Sequence, residues 1–210
     1  MFTSFFVAAF WTLLPIVNPI GAVPPFLAMT ARDSLSKRRE IARRATFICA
    51  TVMIVAAACG SFIFKAFGIS LPSLKIAGGI LLLLVSIDMI HARKSRTKST
   101  EEEQEEGATK TDIAVFPLAV PLLSGPGAIA SIFILLDKAS VVADYAALIA
   151  AIIVVCLIVY AILREAHRVL VVFGTIGLNV LSRLMGLVLA SIAVEFIVDG
   201  LILTFPAWAK

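Results

Sequence analysis

Charge is scarce in this 210-residue chain: Asp, Glu, Lys and Arg supply 15% of it, against about 25% in an ordinary soluble domain. Histidine is scarcer still. The two present, His91 and His167, flank basic clusters at the ends of apolar runs. Neither a His-activated intramembrane nucleophile nor an H-E-x-x-H metal site can therefore be assembled inside those runs. Cys49, Cys59 and Cys156 sit in apolar stretches without C-x-x-C spacing, which speaks against a disulfide framework, a metal site or a thiol relay. No enzyme, cofactor or metal is expected. The first apolar run lacks a basic n-region and an A-x-A-like cleavage site, so it reads as a retained segment, not a cleaved signal peptide.

What the chain has in abundance is apolar surface: 60% hydrophobic residues and a mean hydropathy of +1.04. A helix crossing the hydrocarbon core needs about 20 predominantly apolar residues. Residues 1–31, 45–64, 113–136 and 145–163 carry no charge, and 70–91 and 184–204 reach that length while admitting acids, namely Asp88, Glu195 and Asp199. Six spans follow, and they are helices because lipid offers the backbone no hydrogen-bond partners. The fold class is all-α. The 13-residue piece 169–181 is too short to cross and reads as an interfacial or helical lead-in to the last span; the same role fits 66–74.

Of the 18 Lys and Arg, all but Lys65, Lys75, Lys138 and Lys210 fall in the first, third and fifth connections. Basic residues are retained on the cytoplasmic side, which predicts a multi-pass membrane protein with both termini extracytoplasmic. The net charge of +4 is then a matter of topology, and no nucleic-acid partner is needed to explain it.

The one long polar stretch, 92–112, contains Glu101, Glu102, Glu103, Glu105 and Glu106 and reads as a cytoplasmic linker. It separates two segments, 1–91 and 113–210, that resemble each other. L-P-I-V-N-P-I-G-A at 14–22 lies over V-P-L-L-S-G-P-G-A at 120–128, a shift of 106 that also lays Phe67-Gly68 on Phe173-Gly174. Lys75-x-x-Gly78 similarly resembles Arg183-x-x-Gly186, each followed by an acid, Asp88 or Glu195. A repeat of three spans is odd-numbered, so its second copy enters the bilayer from the opposite side. Inverted repeats of this kind are common in secondary transporters, whose sites lie near the midplane at the repeat interface.

Prolines interrupt both first helices of the repeats, at Pro15 and Pro19 and at Pro121 and Pro126. Proline removes a donor and disfavours helix at the residue before it. Asn18 then reads as the N-cap of a new half-helix with Pro19 at its first position, and Ser124 or Gly125 with Pro126 repeats the device. Such ends carry unpaired N–H groups and the positive pole of the helix dipole, and they attract anions. If the breaks meet, Asn18, Pro19, Gly21, Ser124, Gly125 and Gly127 would line a pocket for a carboxylate. Packing kinks are the plainer alternative.

Three acids remain. Glu195 falls well inside the last span, where a charge is costly and usually functional, and Asp199 follows one turn later. Like charges at that spacing favour a proton held between them, which suits a coupling group. Asp88 pairs more simply at the interface. Lys75 and Arg183 are expected to snorkel, with a gating ion pair as the other option.

N-P-I-G at 18–21, K-I-A-G-G at 75–79 followed by Asp88, S-G-P-G at 124–127 and the stretch from R-L-M-G at 183 to E-F-I-V-D-G ending at Gly200 resemble the MarC family of bacterial inner-membrane proteins. The resemblance implies a six-helix transporter with discontinuous first and fourth helices and a site at the two breaks. It also implies small neutral amino acids as substrates, since SnatA-type members are associated with them. The expectation is a secondary transporter of glycine- or alanine-like zwitterions, coupled to protons, with sodium as a variant. It would be surrounded by lipid and is compatible with a homo-oligomer. A non-transporting scaffold, an efflux protein and a channel are the rivals.

Overall fold

A computed structural model describes residues 2–91 and 113–205; the expected linker at 92–112 lies outside the described residues. Regular structure among them is entirely helical: α1 (Phe2–Val17), α2 (Val23–Met29), α3 (Leu35–Phe67), α4 (Leu71–Ile90), α5 (Ala114–Leu123), α6 (Pro126–Lys138), α7 (Val142–Arg164) and α8 (Ala166–Thr204). Four carry stretches long and apolar enough to cross a bilayer, namely Leu35–Gly60 within α3, then α4, α7 and α8. The other two expected spans are each divided, into α1 and α2 and into α5 and α6. Of these, α5 is wound wide, as a π-helix, with Phe116 and Val120 in extended backbone geometry.

Local chemistry explains the boundaries. Ser34 opens α3 by accepting the Lys37 N–H at 3.3 Å, and Ser70, in extended geometry ahead of Pro72, accepts the Ser73 N–H to open α4. Arg38 donates to the carbonyls of Thr30 (2.9 Å) and Ala31 (3.0 Å). That satisfies the end of α2 and puts a cation at the negative pole of its dipole. Asp144 of α7 reaches back to the N–H groups of Ser140 and Val141.

Gly68 and Gly174 have φ of +63° and +62°, a region that glycine enters without a Cβ penalty. The first follows the end of α3; the second kinks α8. The 169–181 piece is thus helical, part of the kinked front of α8. The 66–74 segment is partly helical: α3 runs to Phe67, residues 68–70 connect, and the Ser70–Pro72 start allows α4 to follow at once.

Among the described residues most buried apolar side chains fall into two clusters. The larger joins α1, α2, α3, α5 and α7 through residues such as Leu13, Phe26, Met53, Leu118, Leu148 and Val159, with Ile132 and Leu135 of α6 and Leu178 from the front of α8. The smaller holds Leu82 and Val85 of α4, Ile134 of α6 and Leu189 and Phe196 of α8, with Ile16 from the end of α1. Both helix interruptions lie on the seam between them: Ile16 and Ala128 belong to the smaller cluster, Val17 and Leu123 to the larger.

Within the smaller cluster α4 and α8 run antiparallel in backbone contact. A Cβ on Gly79 would lie 2.6 Å from Ile197 Cγ1 and 2.7 Å from the Ala193 carbonyl oxygen. One on Gly186 would lie 2.9 Å from Met89 Cβ, and one on Gly200 2.9 Å from the Pro72 carbonyl oxygen. Small residues let transmembrane helices approach this closely. Because backbone cannot yield as a side chain can, Gly79→Val and Gly200→Val should each lower stability in detergent by about 1–3 kcal/mol. Unfolding titration with a denaturing detergent measures this; an unchanged midpoint in both variants would contradict the packing.

Candidate functional site

The first interruption begins where α1 stops at Val17. Asn18 adopts φ +51°, a left-handed geometry that Asn tolerates better than most residues, while its amide still donates to the Leu14 carbonyl at 3.0 Å. Its Oδ1 accepts the Gly21 N–H at 3.1 Å. A Cβ on Gly21 would run into that Asn18 amide, so the turn requires glycine there. Asn18 therefore does cap locally, but what it caps is a turn over 19–22.

The half-helix starts later, at Val23. Its first-turn donors are already used or missing: Val23 N–H donates to the Ile20 carbonyl, Pro24 and Pro25 have no N–H, and Phe26 N–H makes the first helical bond to Ala22. The expected anion-attracting end at this break is consequently absent. The proline pair is the reason, since it removes the donors that a helix start leaves bare.

The second interruption behaves as the sequence suggests. Gly125 is the N-cap of α6 in extended geometry, Pro126 occupies the first helical position, and Ser124 closes α5. Ser124 is 1% exposed; its N–H and its hydroxyl both donate to the Ala119 carbonyl, each at 2.9 Å. Ala128 and Ile129 N–H groups both donate to the Gly125 carbonyl, and Pro126 has none. Gly127 is thus the first-turn donor of α6 not committed to Gly125.

A cavity of about 10 Å³ opens beside this end, lined by Ile16, Leu82, Val85 and residues 125–128. That is roughly room for one water. The site is narrow and mostly apolar: Leu82 covers Gly127, where a Cβ would come within 2.9 Å of Leu82 Cδ2 and 3.9 Å of Ile16 Cγ2. The structure therefore brings Gly125 and Gly127 to the cavity and sets Ser124 immediately behind. Asn18, Pro19 and Gly21 stay off its wall, and only Ile16 represents the first break. Asn18 and Ser124, expected to offer extra donors or acceptors to a shared pocket, bond locally: Asn18 spends its Oδ1 on the Gly21 amide and Ser124 its hydroxyl on the Ala119 carbonyl.

The acids do not line the cavity either. Asp199 sits 3.4 Å from the Nζ of Lys75 and 3.8 Å from that of Lys138, and Lys138 also lies 5.9 Å from the Phe196 ring centroid. It is balanced by cations and does not form an isolated like-charge pair with Glu195. Lys75 does not snorkel: its side chain is 7% exposed, and it pairs across from α4 to α8. Asp88 is half-buried near the end of α4, and Glu195 is exposed on α8. Among the described residues no cluster of His, Cys, Asp and Glu could hold a metal.

Sequence reasoning missed the apolar wall residues Ile16, Leu82 and Val85, which carry no chemical signature. It also missed the Thr46 hydroxyl, buried on α3 without a hydrogen-bond partner in the structure. The Asn18 turn yields a direct test. Glycine at 18 keeps the left-handed backbone and loses only the cap, whereas leucine loses the cap and strains the backbone by about 1–2 kcal/mol. Asn18→Leu should thus be the less stable of the two by about 1 kcal/mol or more in thermal denaturation; equal losses would contradict the turn geometry.

The comparisons with known proteins identify an integral membrane protein. The family model described as MarC family integral membrane protein matches residues 3–205. A UPF0056 membrane protein of Methanocaldococcus jannaschii is 39% identical over 198 residues, covering 94% of this chain and 96% of its own. The UPF0056 membrane protein YvbG of Bacillus subtilis is 35% identical with 98% of both chains covered. YhcE of Escherichia coli is 34% identical, covering 92% of this chain and 90% of its own. No solved structure matches. With a family match over almost its whole length and relatives above one-third identity, this chain belongs to the MarC family of integral membrane proteins.

Proposed function

We propose that this protein is a secondary transporter of small neutral amino acids, zwitterions of glycine or alanine size, held here with its central site narrow. The observation that carries the reading is the α5–α6 interruption. There the carbonyl end of one half-helix meets the amide end of another at Gly125 and Gly127, beside a small cavity between two apolar cores. The start of α6 carries the positive end of a helix dipole, while α5, broken by extended Phe116 and Val120, brings carbonyls of irregular backbone to the same gap. A carboxylate suits the start of α6, and an ammonium group suits carbonyls at the end of α5.

Six spans in two inverted halves are part of the same reading. The shift of 106 that overlays the two sequence halves also overlays Gly68 on Gly174, and these are the two glycines with φ of +63° and +62°. The α4–α8 contacts support the symmetry as well: Gly79 against Ile197 and Gly186 against Met89 are near-equivalent contacts once each helix is exchanged for its counterpart. Alternating access would then move the α4–α8 pair, with one helix from each half, against the bundle of α1, α3 and α7. The fourteen basic residues of the odd-numbered connections place both termini outside an inner membrane in this scheme. For proton coupling Asp88 is the first acid to test, since it is half-buried next to the smaller cluster.

Purified protein in liposomes should exchange external labelled alanine for internal alanine above protein-free vesicles. Gly127→Val, which fills the gap against Leu82, should reduce the rate at least tenfold while eluting as a folded protein. Trp11→Leu, on the exposed face of α1, should leave it unchanged. Absence of exchange with both glycine and alanine, or full activity of folded Gly127→Val, would sink the proposal.

A further inference from the structure

The exposed carboxylate of Glu195 carries an inference independent of transport. The α4 helix, Leu71–Ile90, is 20 residues long, about 30 Å at 1.5 Å per residue and so about one hydrocarbon thickness. It serves as a ruler. Gly79, nine residues into α4, packs against Ala193 and Ile197 of α8, the two residues that straddle Glu195. This sets Glu195 about 12 Å from one end of α4 and about 16 Å from the other, deep in the hydrocarbon layer.

At that depth an ionisable group normally faces a cavity or a partner. Glu195 does neither among the described residues: it is exposed, and no hydrogen bond or ion pair to any of them engages it. Its neighbour Asp199 turns to Lys75 and Lys138 instead. The same face of α8 carries Val188, Ser191, Val194 and Val198, all exposed. It also belongs to the least covered of the four candidate spans, 28% buried where the others are 39–44%.

We propose that this face of α8 docks against the same face of a second copy of the chain, with the two Glu195 carboxyls meeting at the dimer axis. A twofold axis along the membrane normal places identical residues at identical depth, so the chemistry has to be self-complementary. A neutral carboxyl satisfies that requirement because it holds one O–H donor and a carbonyl acceptor, and two of them bond each other reciprocally. Ser191, one turn away, donates its own hydroxyl to the Leu187 carbonyl at 3.2 Å, so its hydrogen is spent within its own helix and does not compete for the carboxyl pair. Other occupants fit less well. A lipid chain offers no acceptor, and an unrelated protein would have to present one at this depth, whereas a second copy does so by symmetry.

The test uses the full chain with Cys59→Ser, leaving the two buried cysteines in place. Val188→Cys and Val198→Cys on the proposed face should each form a disulfide-linked dimer when native membranes are oxidised. Ile153→Cys, exposed on α7, should not. In detergent, light scattering should report a dimer whose dissociation constant rises about three- to thirtyfold in Glu195→Leu and changes little in Glu195→Gln. A monomer at all concentrations, cross-linking from α7 as readily as from α8, products joined to a different protein, or a Glu195→Leu dimer as tight as the parent would each overturn the proposal.

Discussion

Every backbone amide and carbonyl inside a hydrocarbon layer has to find a partner within the protein, and this requirement governs how the chain is allowed to break its helices. At the first break the solution is largely subtraction. Pro19, Pro24 and Pro25 bring no N–H to satisfy, and Asn18 folds its side chain back onto the Gly21 amide. At the second, Pro126 removes one donor, Ala128 and Ile129 share the Gly125 carbonyl, and Ser124 points both its donors at Ala119. What survives among the described residues is a first-turn donor at Gly127 not committed to Gly125, next to a small space in which a ligand group could begin to fit.

That economy shapes the mechanics. The breaks lie where the two apolar clusters meet, with α4 and α8 locked together by glycine contacts on one side and α1, α3 and α7 packed on the other. Close-packed cores do not deform smoothly, so a motion that opens the cavity is better accommodated at the seam than through either cluster. The Lys75–Asp199 pair stiffens one end of the α4–α8 unit. The bodies that would move are therefore not the two sequence halves, since the α4–α8 unit draws one helix from each.

The fold was legible because its signals are strong and local. Apolar runs announced the helices, and Pro-Gly-polar clusters announced the interruptions at 18 and 124. The matching Phe-Gly pairs, legible only as a landmark of the repeat, fall on the two glycines with φ of +63° and +62°. The site was legible only in part. Asn18 looked like the cap of a helix beginning at Pro19, yet the chain turns first and Pro24-Pro25 delays the helix to Val23. Nothing in a linear pattern says that Lys75 will find Asp199, 124 residues away, or which side of α8 Glu195 will take. An acid in an apolar run marks a costly position; the direction it faces is decided by which helix happens to cover it. The wall residues Ile16, Leu82 and Val85 resemble any other core residues, so the shape of the cavity could only come from packing.

The central claim is that the start of α6 lines a narrow space that opens to both sides of the membrane in turn. A single cysteine at Ala128, with the native cysteines replaced, tests it through labelling by a membrane-impermeant maleimide from each side of sealed vesicles. The account predicts that the thiol is reached from both sides and that alanine protects it. A thiol reached from neither side, or one labelled at the same rate whatever the alanine concentration, would contradict it.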